Sequence, residues 1–251
     1  MKYKILVTND DGINAPGIRF LIDIAKEFGD VTVVAPEKGQ SGTGHSITFA
    51  EPLRLKSYFE SEHYREYSCS GFPVDCIKIA ENLVLDEYPD LVLSGINHGS
   101  NASVNVIYSG TMAAAIEACI DNIPAIGFSY QAYKYNIDFS VAKPFVREII
   151  KKTLEKGIPK DVCLNVNIPD TKEIKGVKIC RQAKASWKEG FDSRTDPRGR
   201  EYHWLTGYFH VDDKSEGTDL KALEDGFLSI VPVHVDMTAH KTLEQLKYLE
   251  A

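Results

Sequence analysis

Apolar residues along this chain come in short compact runs separated by stretches with helical spacing, and that alternation predicts a layered α/β protein. Residues 3–8, Tyr-Lys-Ile-Leu-Val-Thr, form the first run; apolar positions at helical spacing follow over 18–28, and a second β-branched run covers 31–36. Runs of this kind match strands covered on both faces. Strand, helix, strand in this order predicts a right-handed βαβ unit with parallel strands. Further strands are expected at 47–55, with 64–69 as its hairpin partner on an edge, and at 91–94, 125–129 and 162–169, the last closing the main sheet. Helices are expected over 71–83, from Ser109 through Cys119, and over 139–156. From 177 to about 217 aromatic and charged residues alternate with little helical period, which predicts a hairpin-like extension. A short capped helix at 218–226, a strand at 227–233 and a terminal helix at 237–249 complete the expectation. The predicted fold class is α/β, a mostly parallel sheet with helices on both faces over residues 1–170. A C-terminal extension, 171–251, carries a β-hairpin arm and a helix and belongs to the same functional unit.

Composition narrows the function more than the fold. The 251 residues are 43% hydrophobic and 26% charged, which allows a large single core. A net charge of -7 argues against a broad basic surface for nucleic acid polymers. No apolar run approaches membrane-span length, so no membrane partner is expected. The five cysteines, Cys69, Cys76, Cys119, Cys163 and Cys180, include no C-x-x-C pair. With no charged and apolar leader at the start, they place the protein in the cytoplasm as an expectation.

Three predicted strand ends carry oxygen-rich, glycine-bearing loops to one sheet edge, where open α/β sheets bind ligands. The first is Asn9-Asp10-Asp11-Gly12. Two carboxylates about 4 Å apart repel by roughly 4 kcal/mol at an effective dielectric near 20, a repulsion a divalent cation would relieve. The same four residues also read as a plain strand-to-helix turn. The second loop holds Gly39, Ser41, Gly42 and Gly44, with His45 beyond, and lacks the G-x-x-x-x-G-K-[ST] pattern. The third runs from Asn97 through Asn101 to Ser109-Gly110-Thr111 at the start of an alanine-rich helix, a position suited to an anion or to a simple N-cap. Asp10, Asp11, Ser41 and Asn97 are all oxygen donors, which suits magnesium or manganese better than zinc. A dinucleotide-dependent oxidoreductase is disfavoured because the first turn lacks G-x-G-x-x-G. A sugar-nucleotide transferase would need a second large domain. A non-catalytic nucleotide-binding or signalling module remains the alternative to an enzyme.

Taken together and in order, Thr8-Asn9-Asp10-Asp11-Gly12, Ala35-Pro36 with Gln40-Ser41-Gly42, Gly71-Phe72-Pro73-Val74-Asp75-Cys76, Ser94-Gly95-Ile96-Asn97-His98-Gly99-Ser100-Asn101 and Tyr108-Ser109-Gly110-Thr111 resemble the SurE family of nucleotidases. Arg198-Gly199-Arg200-Glu201-Tyr202, Gly217-Thr218-Asp219 and Asp236-Met237-Thr238 extend the resemblance over nearly the full chain. It implies a Rossmann-like core and a metal-dependent phosphomonoesterase acting on nucleoside 5'- and 3'-monophosphates, with polyphosphate a further substrate of some members. By motif position, Asp10, Asp11, Ser41 and Asn97 would hold one divalent metal ion per subunit, Mg2+ or Mn2+. Asn9, Asn101, Ser109, Gly110 and Thr111 would hold the phosphate. Asp10 and Asp11 would be catalytic, by activating water or by forming an aspartyl phosphate. The arm would be exchanged between subunits of a homodimer or homotetramer. Phe72, Gly39-Gln40 and Ala102-Ser103-Val104-Asn105 depart from the family pattern, and none is a proposed ligand.

Overall fold

The computed structural model describes residues 2–132 and 137–250. The chain opens with strand β1 (Tyr3–Thr8), helix α1 (Pro16–Ala25) and strand β2 (Gly29–Pro36). An edge hairpin follows, β3 (Leu55–Glu60) and β4 (Tyr64–Cys69), and then α2 (Pro73–Ile79), β5 (Leu91–His98), α3 (Gly110–Ile120), β6 (Ala125–Tyr130), α4 (Lys143–Lys156) and β7 (Val162–Ile168). The remainder supplies β8 (Val177–Ile179), β9 (Ala185–Thr195), β10 (Glu201–Val211), α5 (Asp219–Glu224) and β11 (Leu228–His234).

Nine strands form one sheet in the order β3-β4-β2-β1-β5-β6-β7-β11-β8, parallel from β4 to β7. Alternate side chains of the central strands enter opposite cores, as an extended backbone requires. Ile5 and Val7 face one core with Leu91 and Leu93, whereas Leu6 and Val92 face the other. Helices α1 and α4 cover the first face, with Ile18, Leu21, Ile22, Val146 and Ile150 buried there. Helices α2 and α3 cover the second, where Cys76, Ile77, Met112, Ala114 and Ala118 pack. The small side chains of α3 let it lie close to the sheet, and nine of its eleven residues are buried. From β1 the chain moves to β2 on one side and later to β5 on the other. Strand order therefore reverses at β1, and the crevice beyond the carboxyl ends of β1 and β5 is the place such sheets bind ligands.

Several expected elements are corrected. Val162–Ile168 is not the last strand of the main sheet, because β11 adds antiparallel to β7 and β8 adds parallel to β11. Residues 47–52 form no strand; Thr48 gives its backbone N–H (3.1 Å) and hydroxyl (2.6 Å) to the Asp75 carboxylate, so this segment spends its polar groups on α2 instead of a ladder. The hairpin partner of β4 is β3, displaced toward the C-terminus. The helix expected over 71–83 is α-helical only to Ile79 and continues as a wider turn, Ala80–Val84. The terminal helix over 237–249 is replaced by two short 3-10 turns, His240–Thr242 and Glu244–Leu249, with no buried residue. A helix that buries no face lacks the main support helices have in proteins. The arm is present as an antiparallel two-stranded ribbon of β9 and β10, paired over eleven residues.

Candidate functional site

Strand β1 delivers Asn9, Asp10 and Asp11 to the reversal point, and β5 ends there in Asn97 and His98. The two strand ends are tied together by the His98 backbone N–H, which donates to Asp11 Oδ2 at 3.0 Å. The Asn9 side-chain amide closes the turn by donating to the Gly12 carbonyl at 2.8 Å. Asp10 is only 3% exposed. Its Oδ1 accepts the Thr111 hydroxyl at 2.5 Å, and the Thr111 backbone N–H also bonds it. The start of α3, which suits an anion, thus faces the Asp10 carboxylate. Gly110 lies against the same residue, and a Cβ there would sit 2.9 Å from Asp10 Cβ. Ser109 caps α3 by accepting the Met112 N–H at 3.0 Å.

Burial, reinforced by the neighbouring Asp11 carboxylate, pushes Asp10 up to about 7. Burial pushes Asp11 upward as well, opposed by the His98 N–H bond. In both carboxyl groups burial is the main cause and favours the protonated form.

A cavity of about 670 Å3 opens at this edge. Asp10, Ser41, Asn97, Asn101 and Ser109 line it together. Asp11 lines an adjoining depression with Gly12, Lys38 and His98. Asn9, Gly110 and Thr111 do not line the cavity; Asn9 and Thr111 are fully buried, and Gly110 and Thr111 touch Asp10. His45 turns away to pair with Glu117 at 2.9 Å, as a local hydrogen-bonding residue.

The donor set fits a hard divalent cation. Asp10, Asp11, Ser41 and Asn97 offer oxygen only in carboxylate, hydroxyl and amide form, and Asn9 Oδ1 is buried with no hydrogen-bond partner. Among the described residues no three or more His, Cys, Asp and Glu side chains are grouped so as to hold a metal ion, so the set relies on the Ser41 and Asn97 oxygens beside the two carboxylates.

Two parts of the site escaped the sequence reading. Asn101 is held from behind by asparagines of β7: Asn167 Oδ1 accepts the Asn101 N–H at 2.8 Å, and the Asn165 side-chain amide donates to the Asn101 carbonyl at 2.9 Å. Asn101 Nδ2 in turn donates to Ser129 Oγ at 2.6 Å. The signal was present as Asn165 and Asn167, two residues apart on an otherwise apolar strand. The other part is the hairpin, which contributes Trp187, Glu189, Leu205 and Gly207 to the cavity wall. Nothing local to that segment marks it.

Fold and site define an α/β protein with paired carboxylates, an amide-rich loop and an oxygen-donor set gathered at the strand-order reversal of a parallel sheet. The family model of survival protein SurE matches residues 5–189. A 5'-nucleotidase SurE of Christiangramia forsetii is 57% identical over 98% of this chain and 96% of its own length, and one of Bacteroides fragilis is 45% identical over 98% and 97%. A crystal structure of the SurE protein from Aquifex aeolicus superposes with a TM-score of 0.85 at 41% identity, covering 99% of this chain and all of that one. The chain belongs to the SurE family.

Proposed function

We propose that this chain is a metal-dependent 5'-nucleotidase that hydrolyses nucleoside monophosphates to nucleoside and phosphate. The observation that carries the reading is the buried Asp10, next to Asp11, opening with Ser41, Asn97, Asn101 and Ser109 onto one cavity large enough for a nucleotide. Relatives that share over half of its residues bear the name 5'-nucleotidase.

Asp10, Asp11, Ser41 and Asn97 would hold one magnesium or manganese ion per subunit. When bound, that ion supplies charge neutralisation and polarisation of the phosphoryl oxygens. Asn101 and Ser109 meet the phosphate from the cavity side, while Asn9, Gly110 and Thr111 shape the floor beneath it. Asp10, which lines the cavity, or Asp11 beside it orients the attacking water and takes its proton. Asp10 keeps its hydrogen bonds to Thr111 throughout. Exclusion of bulk water by the buried strand ends strengthens each of these contacts.

The family reading extends to 3'-monophosphates and polyphosphate, to a homodimer or homotetramer joined through the arm, and to the cytoplasm. Trp204 and Tyr208 on the arm are 59% and 64% exposed, which supports assembly through it. All five cysteines are unpaired and buried, which supports a reducing compartment. Among the described residues no helix is long and apolar enough to cross a membrane.

The test is phosphate release from 5'- and 3'-nucleoside monophosphates and polyphosphate with magnesium, manganese or EDTA, beside Asp10→Asn. Metal-dependent release is expected, falling by at least about 100-fold in the variant. Nucleotide binding without release under any metal would replace this reading with a binding module.

A further inference from the structure

The cavity is larger than a phosphate group needs; the core lines it almost wholly with polar groups, whereas the hairpin brings the apolar surface of Trp187 and Leu205 beside Glu189, Thr206 and Gly207. We propose that the root of the β9–β10 hairpin is the nucleoside-recognition wall of the site, with the Trp187 indole as the platform on which the substrate's base stacks. The inference rests on the phosphomonoesterase reading and adds where the leaving nucleoside is held.

Register places Trp187 opposite Phe209, Glu189 opposite Gly207 and Phe191 opposite Leu205, so these six side-chain positions share one face of the ribbon. Gly207 interrupts that face. Its φ is +150°, and a Cβ there would meet the Lys188 carbonyl oxygen at 2.3 Å, so only glycine fits. The result is a notch bordered by Trp187 on one side and Leu205 on the other, and Trp187, Leu205 and Gly207 all line the cavity that contains Asp10.

Trp187 is fixed yet open. Its indole N–H donates to Asn105 Oδ1 at 2.9 Å, and its ring meets Phe209 at 5.2 Å with the planes 61° apart. It nevertheless remains 40% exposed. An indole whose only donor is already used offers a ligand its π face, and stacking on such a face tolerates any base. A rigid platform also loses little freedom on binding.

The fold goes to some length to hold this root beside the core. Asp219, 1% exposed, accepts the Ser103 N–H at 2.7 Å and the Ala183 N–H at 2.9 Å, and Ser103 Oγ donates to the Ala183 carbonyl at 2.8 Å. The loop that carries Asn105 and the strand that carries Trp187 are thereby latched together. Asp219 is a positioning residue in this arrangement.

The test compares adenosine 5'-monophosphate with ribose 5-phosphate, a monoester of the same sugar without a base, in Trp187→Ala and Trp187→Phe. Trp187→Ala should raise KM for the nucleotide between about fivefold and 150-fold, the span of base–aromatic stacking, and leave ribose 5-phosphate within twofold or so. Trp187→Phe should recover most of the loss. Equal changes for both esters, or none for the nucleotide, would overturn the proposal. If the unmodified protein hydrolyses neither ester, the phosphomonoesterase reading falls, and stacking is read by fluorescence. In Trp204→Phe, Trp187 is the sole tryptophan of the chain's two. Saturable quenching by the nucleotide and not by ribose 5-phosphate supports the platform; no quenching by the nucleotide rejects it.

Discussion

At the scale of single residues, the site depends on groups that never reach substrate. Asn167 is fully buried on β7, accepts the Asn101 N–H, and passes its own amide to Asn165 Oδ1 at 2.9 Å. Asn167→Ala leaves that Asn101 N–H unpaired in a dry place, a cost of about 1–3 kcal/mol. Thermal unfolding should move down by roughly 2–4 °C for each of those kcal/mol, and kcat/KM for nucleotide should fall about tenfold as Asn101 loosens. An unchanged Tm with full activity would show that the β7 asparagines are not what fixes the loop. The two adjacent acids could be singled out in the sequence because they end an apolar run, although alone they read equally as a plain turn and only the other strand-end loops set them apart. The asparagines behind Asn101 were visible only as a period-two pattern, since their partner lies more than sixty residues away in the chain.

At the scale of elements, the ends of α2 and α3 bring like charges together. Glu81 lies in the wide turn that follows α2, and Asp121 is the C-cap of α3. Both sit at carboxyl-terminal helix ends, where negative charge is least welcome. Burial first, and then Asp121, push Glu81 up to about 8 from an ordinary value of 4.5. The folded chain therefore holds this proton more tightly than the unfolded one, and stability falls as pH rises from about 4.5 to about 8. Glu81→Gln removes that slope. Its Tm should match the parent near pH 4.5 and exceed it by about 2–4 °C above pH 8, equivalent to roughly 1 kcal/mol once solvent screening of a half-exposed group is allowed for. Equal Tm differences at both pH values would sink the assignment. Helices and strands with a buried face were readable from their period. Residues 47–52 and the C-terminal turns were misread because one is held by side-chain bonds to α2 and the others bury nothing, and neither condition leaves a mark in local periodicity.

At the scale of the whole molecule, the hairpin has two faces of different surroundings. The face bearing Trp187 and Gly207 lines the cavity, and the opposite face carries Tyr202, Trp204 and Tyr208, all exposed. Paired Tyr202→Ser and Trp204→Ser changes should lower the mass measured by sedimentation velocity to that of a single chain, while an unchanged mass would move the interface elsewhere. The alternation of strands and helices follows the βαβ rule, so a mostly parallel sheet with β1 and β2 parallel could be expected in advance. The antiparallel β11 beside β7 could not, because it returns from beyond the hairpin. That return has a consequence in time. On the ribosome the parallel sheet can be complete once Ile168 has emerged, but the edge of β7 stays unpaired until Leu228 follows, about sixty residues later. At synthesis rates of about 5–20 residues per second, every nascent chain carries an open strand edge for roughly 3–12 s, and during that interval the edge is a template for pairing with a neighbouring nascent copy.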